Sequence, residues 1–152
     1  MQNHILHGEN ETLEFGKVIS NLIQESLEPH FEFHLQGELG AGKTTLVRGI
    51  LRSLGWEGSV KSPTYTICEE YEFNEYLILH IDLYRTETYE DIEMLDLGRR
   101  FDGKKIIFIE WPENLKKDRD FDLKIEMLHA ENSRKIVLIG DTILLNSLKA
   151  NK

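Results

Sequence analysis

Several scarcities narrow what this chain can be. It has one cysteine, Cys68, among 152 residues. A single thiol cannot form a disulfide framework, so the sequence points to a reducing compartment, with Cys68 a small buried hydrophobe. No apolar run reaches transmembrane length, and Met1-Gln2-Asn3-His4-Ile5 lacks the basic stretch and apolar run of an export signal. The expectation is a cytoplasmic protein with no membrane partner. Positive charge is also scarce: 18 Lys and Arg stand against 27 Asp and Glu, a net charge of −9. Broad nucleic-acid binding needs a basic footprint, so the chain does not grip nucleic acid alone, although a partner can supply that surface. Only three prolines occur, and Pro29, Pro63 and Pro112 each fall where an element ends or a loop begins. There is no internal repeat, low-complexity segment or linker. What is present, 40% hydrophobic and 30% charged residues, suits one globular domain over residues 1–152.

The stretch that stands out is Gly37-Glu38-Leu39-Gly40-Ala41-Gly42-Lys43-Thr44, which satisfies G-x-x-x-x-G-K-[ST]. Residues 31–36 before it alternate like a strand, and residues 45–54 after it read as a helix closed by Gly55. Glycines let the backbone turn its N–H groups inward as a nest for phosphate oxygens. The following helix adds its N-terminal dipole. Lys43 is a point charge for the β- and γ-phosphates, and the Thr44 hydroxyl is placed to ligate Mg²⁺.

The remaining elements follow from periodicity. Residues 3–7 predict an edge strand and residues 11–27 a helix capped by Asn10 or Thr12. Residues 65–73 and 76–83 predict two strands joined by Asn74-Glu75, hence an antiparallel hairpin. Residues 87–95 predict an acidic helix whose carboxylates, Glu87, Glu90, Asp91, Glu93 and Asp96, read as a solvated face or a docking surface. Residues 105–109, a lysine followed by an apolar run, read as a central strand buried on both faces. Residues 114–120 predict an exposed loop, residues 123–128 and 135–139 a second hairpin joined through 131–134, and the tail from Thr142 a helix. The fold class is therefore α/β: a P-loop NTPase-like three-layer fold whose mixed central sheet includes antiparallel hairpins.

A phosphate loop needs an acidic group at a neighbouring strand tip to hold Mg²⁺, and Glu110 stands directly after the apolar run. In His80-Ile81-Asp82-Leu83-Tyr84-Arg85, alternation puts His80, Asp82 and Tyr84 on one face. Asp82 is placed to orient an attacking water, to join the metal shell, or to form a structural pair; Arg85 is a candidate for developing phosphate charge; His80 reads as structural. Ser62-Pro63-Thr64 is a plain proline turn or a switch loop sensing the γ-phosphate. Trp111 is an aromatic core residue or a nucleotide contact.

Together, the phosphate loop through Thr45, Lys61-Ser62-Pro63-Thr64-Tyr65, the segment from His80 to Arg85, and Ile109-Glu110-Trp111-Pro112 resemble the bacterial TsaE (YjeE) family, in the right order over most of the chain. The resemblance implies an ATPase binding ATP or ADP with Mg²⁺, required for threonylcarbamoyl modification of the adenosine next to the tRNA anticodon. It implies work with TsaD and TsaB, contact with tRNA only through that complex, and no group transfer by the protein itself. By position, it implies phosphate contacts along Gly37, Glu38, Leu39, Gly40, Ala41, Gly42, Lys43, Thr44 and Thr45, and Mg²⁺ at Thr44 and Glu110. It also implies catalytic roles for Lys43, Asp82 and Glu110, and nucleotide contact at Thr12 and around Arg134. The competing classes are a small-molecule or nucleotide kinase, for which Arg99-Arg100 is the only tight arginine pair, and a nucleotide-gated scaffold that hardly hydrolyses. A GTPase is disfavoured because no N-K-x-D guanine-reading motif occurs.

Overall fold

A computed structural model describes residues 1–85 and 89–150, without the side chains of residues 89, 149 and 150. The elements run β1 (Gln2–Leu6), α1 (Gly8–Glu25), β2 (His30–Gln36), α2 (Lys43–Leu54), β3 (Cys68–Phe73) and β4 (Tyr76–Asp82). There follow α3 (Tyr89–Glu93), β5 (Lys104–Glu110), a 3-10 turn (Pro112–Asn114), β6 (Leu123–Ala130), β7 (Ser133–Gly140) and α4 (Thr142–Ala150). The seven strands form one sheet in the order β1-β7-β6-β2-β5-β4-β3. The inner strands β6, β2, β5 and β4 are parallel to one another, while β1, β7 and β3 pair antiparallel to their neighbours.

Alternation along the strands divides the core in two. Phe31, Phe33, Leu35, Ile78, Ile106 and Phe108 join one cluster with the apolar faces of α1, α2 and α4. Leu77, Leu79, Ile81, Ile107 and Ile109 face the other way, against Ile92, Leu97 and Leu83. Asp82 and Glu110 share the parity of Ile78 and Ile106, so they lie on the α2 side, at the carboxyl ends of β4 and β5. Helices α1 and α2 meet through glycines: a Cβ on Gly49 would lie 2.5 Å from Leu13 O, and one on Gly16 would lie 2.7 Å from the Gly49 carbonyl carbon.

Local boundaries differ from the periodic reading in four places. Helix α1 starts at Gly8, with His7 as its N-cap, so neither Asn10 nor Thr12 caps it. The Glu11 side chain accepts from the His7 N–H at 2.7 Å, and the Thr12 hydroxyl donates to Gly8 O. Strand β3 begins at Cys68 because the preceding residues turn: Ile67 N–H bonds Pro63 O at 2.8 Å, and Ile67 is left-handed at φ 65°. The last hairpin turns on Glu131 and Asn132 alone, with Asn132 at φ 56°. Helix α3 ends at Glu93 rather than residue 95, and Glu87 lies outside the described residues. Cys68 is half-buried, and burial, with Glu70 adding, pushes its thiol up to about 11, so it is a poor nucleophile.

Candidate functional site

The loop between β2 and α2 sits over the carboxyl ends of the parallel strands, where open α/β sheets place ligands. Its shape depends on glycine at two kinds of position. Gly40 and Gly42 adopt φ 77° and 103°, where L side chains are strained. Gly37 lies so close to β6 that a Cβ would be 2.6 Å from Met127 O. Between them, Ala41 N–H closes a tight turn onto Glu38 O at 3.1 Å, and Ala41 is buried. Leu39 projects at the tip, 61% exposed. Thr45 lies in the first turn of α2.

Lys43 is buried, its amine donating to Gly37 O at 2.5 Å and Glu38 O at 3.0 Å. The same amine stands 4.7 Å over the Trp111 ring, which in turn meets Tyr84 at 4.9 Å between centroids. Burial lowers the Lys43 pKa below its ordinary value, against the opposing pull of Glu110, Asp82 and Glu113. A partly desolvated ammonium facing several carboxylates is a strong donor for any anion that reaches it.

Next to it, the Thr44 hydroxyl donates to Glu110 Oε1 at 3.0 Å, and His80 Nε2 lies 2.7 Å from the same oxygen. Asp82 stands opposite Glu110 on the adjoining strand. Its Oδ1 accepts from Tyr84 N–H at 2.9 Å and its Oδ2 from the Thr64 hydroxyl at 3.2 Å. Thr64 in turn bonds the Ser62 hydroxyl at 2.8 Å, so the Ser62-Pro63-Thr64 loop is tied to the strand end. Arg85 lies over the Tyr65 ring at 4.8 Å.

On the other flank, Arg134 donates to Gly8 O at 2.9 Å and to the Thr12 hydroxyl at 3.1 Å. Its guanidinium also borders Gly42, where a Cβ would meet Arg134 Nε at 3.2 Å. Thr12 on α1 and Arg134 on β7, 122 residues apart, thus converge on the helix end of the loop. A cavity of about 410 Å³ opens beside the loop, lined by Gly37, Glu38, Trp111, Glu113 and the end of β6. A larger groove of about 760 Å³ lies at the opposite end of the sheet, against α1 and α4, and none of the motif residues line it.

Thr44 meets Glu110, Lys43 meets Trp111, Arg134 with Thr12 borders Gly42, and Asp82 lies opposite Glu110, whereas Arg85 is placed only against Tyr65. Two contributors were not foreseen. Glu113 stands near Lys43 and lines the cavity; its position just after Glu110-Trp111 was the available signal. Met127 approaches Gly37 through its backbone, which leaves no mark in the sequence.

Thr44, Glu110 and Asp82 offer oxygen ligands, the donor type that suits Mg²⁺. Among the described residues no group of three or more His, Cys, Asp or Glu side chains could hold a metal alone. A hard cation held by these oxygens would need further oxygen ligands from outside the protein.

The family model described as threonylcarbamoyl adenosine biosynthesis protein TsaE matches residues 6–136. The tRNA threonylcarbamoyladenosine biosynthesis protein TsaE of Haemophilus influenzae is 39% identical over 134 residues, covering 87% of this chain and 85% of that protein. The Aquifex aeolicus protein of the same name is 37% identical over 134 residues, 87% of this chain and 91% of its own. The crystal structure of Bacillus subtilis YdiB superposes with a TM-score of 0.72 at 25% identity, over 98% of this chain and 94% of that one. The chain belongs to the TsaE family of threonylcarbamoyl adenosine biosynthesis proteins.

Proposed function

We propose that this chain is an ATPase that acts as a nucleotide-dependent partner of a TsaD–TsaB pair in the threonylcarbamoyladenosine modification of tRNA, in the cytoplasm. The observation that carries the reading is the convergence of Lys43, Thr44 and Glu110 on the loop, with Asp82 fixed on the adjoining strand. Lys43 leaves the Gly37 and Glu38 carbonyls for the β- and γ-phosphate oxygens, to which a charged donor is better matched than to neutral carbonyls. Thr44 and Glu110 hold Mg²⁺, which when bound neutralises charge developing on the transferred phosphoryl group. Asp82 keeps acceptor capacity toward a water at the strand end while Tyr84 and Thr64 fix its orientation. Thr12 and Arg134 contact the nucleotide from the α1 side.

The kinase alternative needs arginines over the phosphates. Arg99 is instead bonded to Glu70 on edge strand β3 at 2.7 Å. Among the described residues no helix is long and apolar enough to cross a membrane, and the acidic surface suits a protein that reaches tRNA only through its partners.

The test is ATP hydrolysis with Mg²⁺, alone and with purified TsaD and TsaB, alongside co-purification with that pair with and without ATP. Slow turnover alone, faster turnover with the pair, and nucleotide-dependent association are expected. Equal rates with and without the pair would overturn the partner role; binding without any single-turnover hydrolysis would favour the scaffold.

A further inference from the structure

His80 is fully buried on β4, on the face it shares with the apolar core residues Tyr76 and Ile78 and, at the strand end, with Asp82. Its neighbours in register are Phe108 on β5 and Glu69 on β3. An apolar side chain would satisfy such a position without a desolvated ring nitrogen. Instead, Nε2 makes a 2.7 Å bond to Glu110 Oε1, and Nδ1 is buried with no hydrogen-bond partner among the described residues. Toward a carboxylate oxygen the ring donates through its Nε2–H. One costly unpaired ring nitrogen is what remains when a histidine is retained for its single bond.

We infer that His80 is the positioning residue for Glu110, an inference that rests on the reading of Glu110 as a Mg²⁺-site carboxylate. Two donors, the Thr44 hydroxyl and the His80 ring, fall on Oε1. The hydroxyl is the one that can turn away when a cation arrives. His80 has no such freedom: its ring is completely buried on the sheet. It therefore holds the carboxylate in one orientation before and after Thr44 changes partner, as outer-shell groups do for metal ligands elsewhere. Loss of that bond frees Glu110 to rotate, so the effect falls on cation affinity rather than on phosphate binding by Lys43 and the loop.

The experiment is a Mg²⁺ titration of ADP binding by calorimetry, with a parallel titration in EDTA, on the wild type and on His80→Leu, His80→Gln and His80→Asn. Circular dichroism and thermal unfolding report the fold of each. The glutamine amide can occupy the place of Nε2, whereas the asparagine amide reaches only that of Nδ1. The expected result is a Mg²⁺ midpoint raised about 10–100-fold in the leucine and asparagine variants. ADP affinity in EDTA stays unchanged, and the glutamine variant lies near wild type. If His80→Leu does not fold, the glutamine and asparagine pair decides. Folded variants that all keep the wild-type midpoint, or that all shift alike, would overturn the inference. A wild type whose ADP binding ignores Mg²⁺ would overturn the reading of Glu110 itself, and the role of His80 with it.

Discussion

Lys43 shows how a motif residue can be right in type and unexpected in setting. The G-K-[ST] pattern marks it as a phosphate ligand, yet it is only 4% exposed, folded onto the carbonyls of its own loop beneath Trp111. Its amine charge is costly there, because burial works against the protonated form. Replacement by alanine removes contacts worth about 1 kcal/mol each, but also a desolvated cation. We expect Lys43→Ala to keep its circular dichroism and to change stability by no more than about 1 kcal/mol. It should lose the rise in unfolding temperature with Mg²⁺ and ADP, which in the wild type corresponds to about 2.7 kcal/mol at a hundredfold excess over Kd. An undiminished shift in the variant would mean that the lysine does not meet the phosphates. The chemistry of Lys43, Thr44 and Gly42 was legible because eight consecutive residues specify it. The contacts of Thr12 with Arg134 and of Gly37 with Met127 join distant parts of the chain, and no local pattern encodes them.

At the level of elements, the phosphate helix is positioned by its packing on α1 as much as by the loop. That packing requires two glycines to face each other. A Cβ at Gly49 would sit 2.5 Å from Leu13 O, a backbone atom that cannot move aside cheaply. Although alanine is the better helix former, we expect Gly49→Ala to lose about 1–3 kcal/mol in urea unfolding through overpacking. A gain in stability would show that the helices separate freely. The central strands were readable from sequence because burial on both faces gives a continuous apolar run, as in residues 106–109. Helix α1 was placed three residues late because its N-terminus is closed by Glu11 reaching back to His7 N–H, not by Asn10 or Thr12. The residues before Cys68 have strand-like composition, but the turn at Ile67 overrides it.

For the whole molecule, one buried polar cluster ties the segment after the 3-10 turn to the sheet. Glu32 accepts from Arg119 Nε at 2.7 Å and from His34 Nε2 at 2.9 Å, and the Glu32 N–H donates to Asp122 at 2.7 Å. Burial alone would raise the Glu32 pKa, but the hydrogen bonds from His34 and Arg119 outweigh it and hold the carboxyl below 4.5. The unfolded chain therefore binds more protons just below that value. The contribution is complete above 4.5 and lost as pH falls through the folded value. Urea unfolding from roughly pH 5 to pH 3 should fall more steeply for the wild type than for Glu32→Gln, with equal slopes counting against the cluster. By itself the sequence determined the α/β class, the phosphate loop and the acidic strand tips, because turn chemistry, hydrophobic period and a contiguous motif act over a few residues. Only the tertiary structure decided that β2 lies between β5 and β6, and that His80, rather than bulk core, backs Glu110. It also brought Arg134 across 122 residues to meet Thr12 beside Gly42. Those relations depend on which strands pair and in what register, and pairing is a property of the whole chain closing on itself.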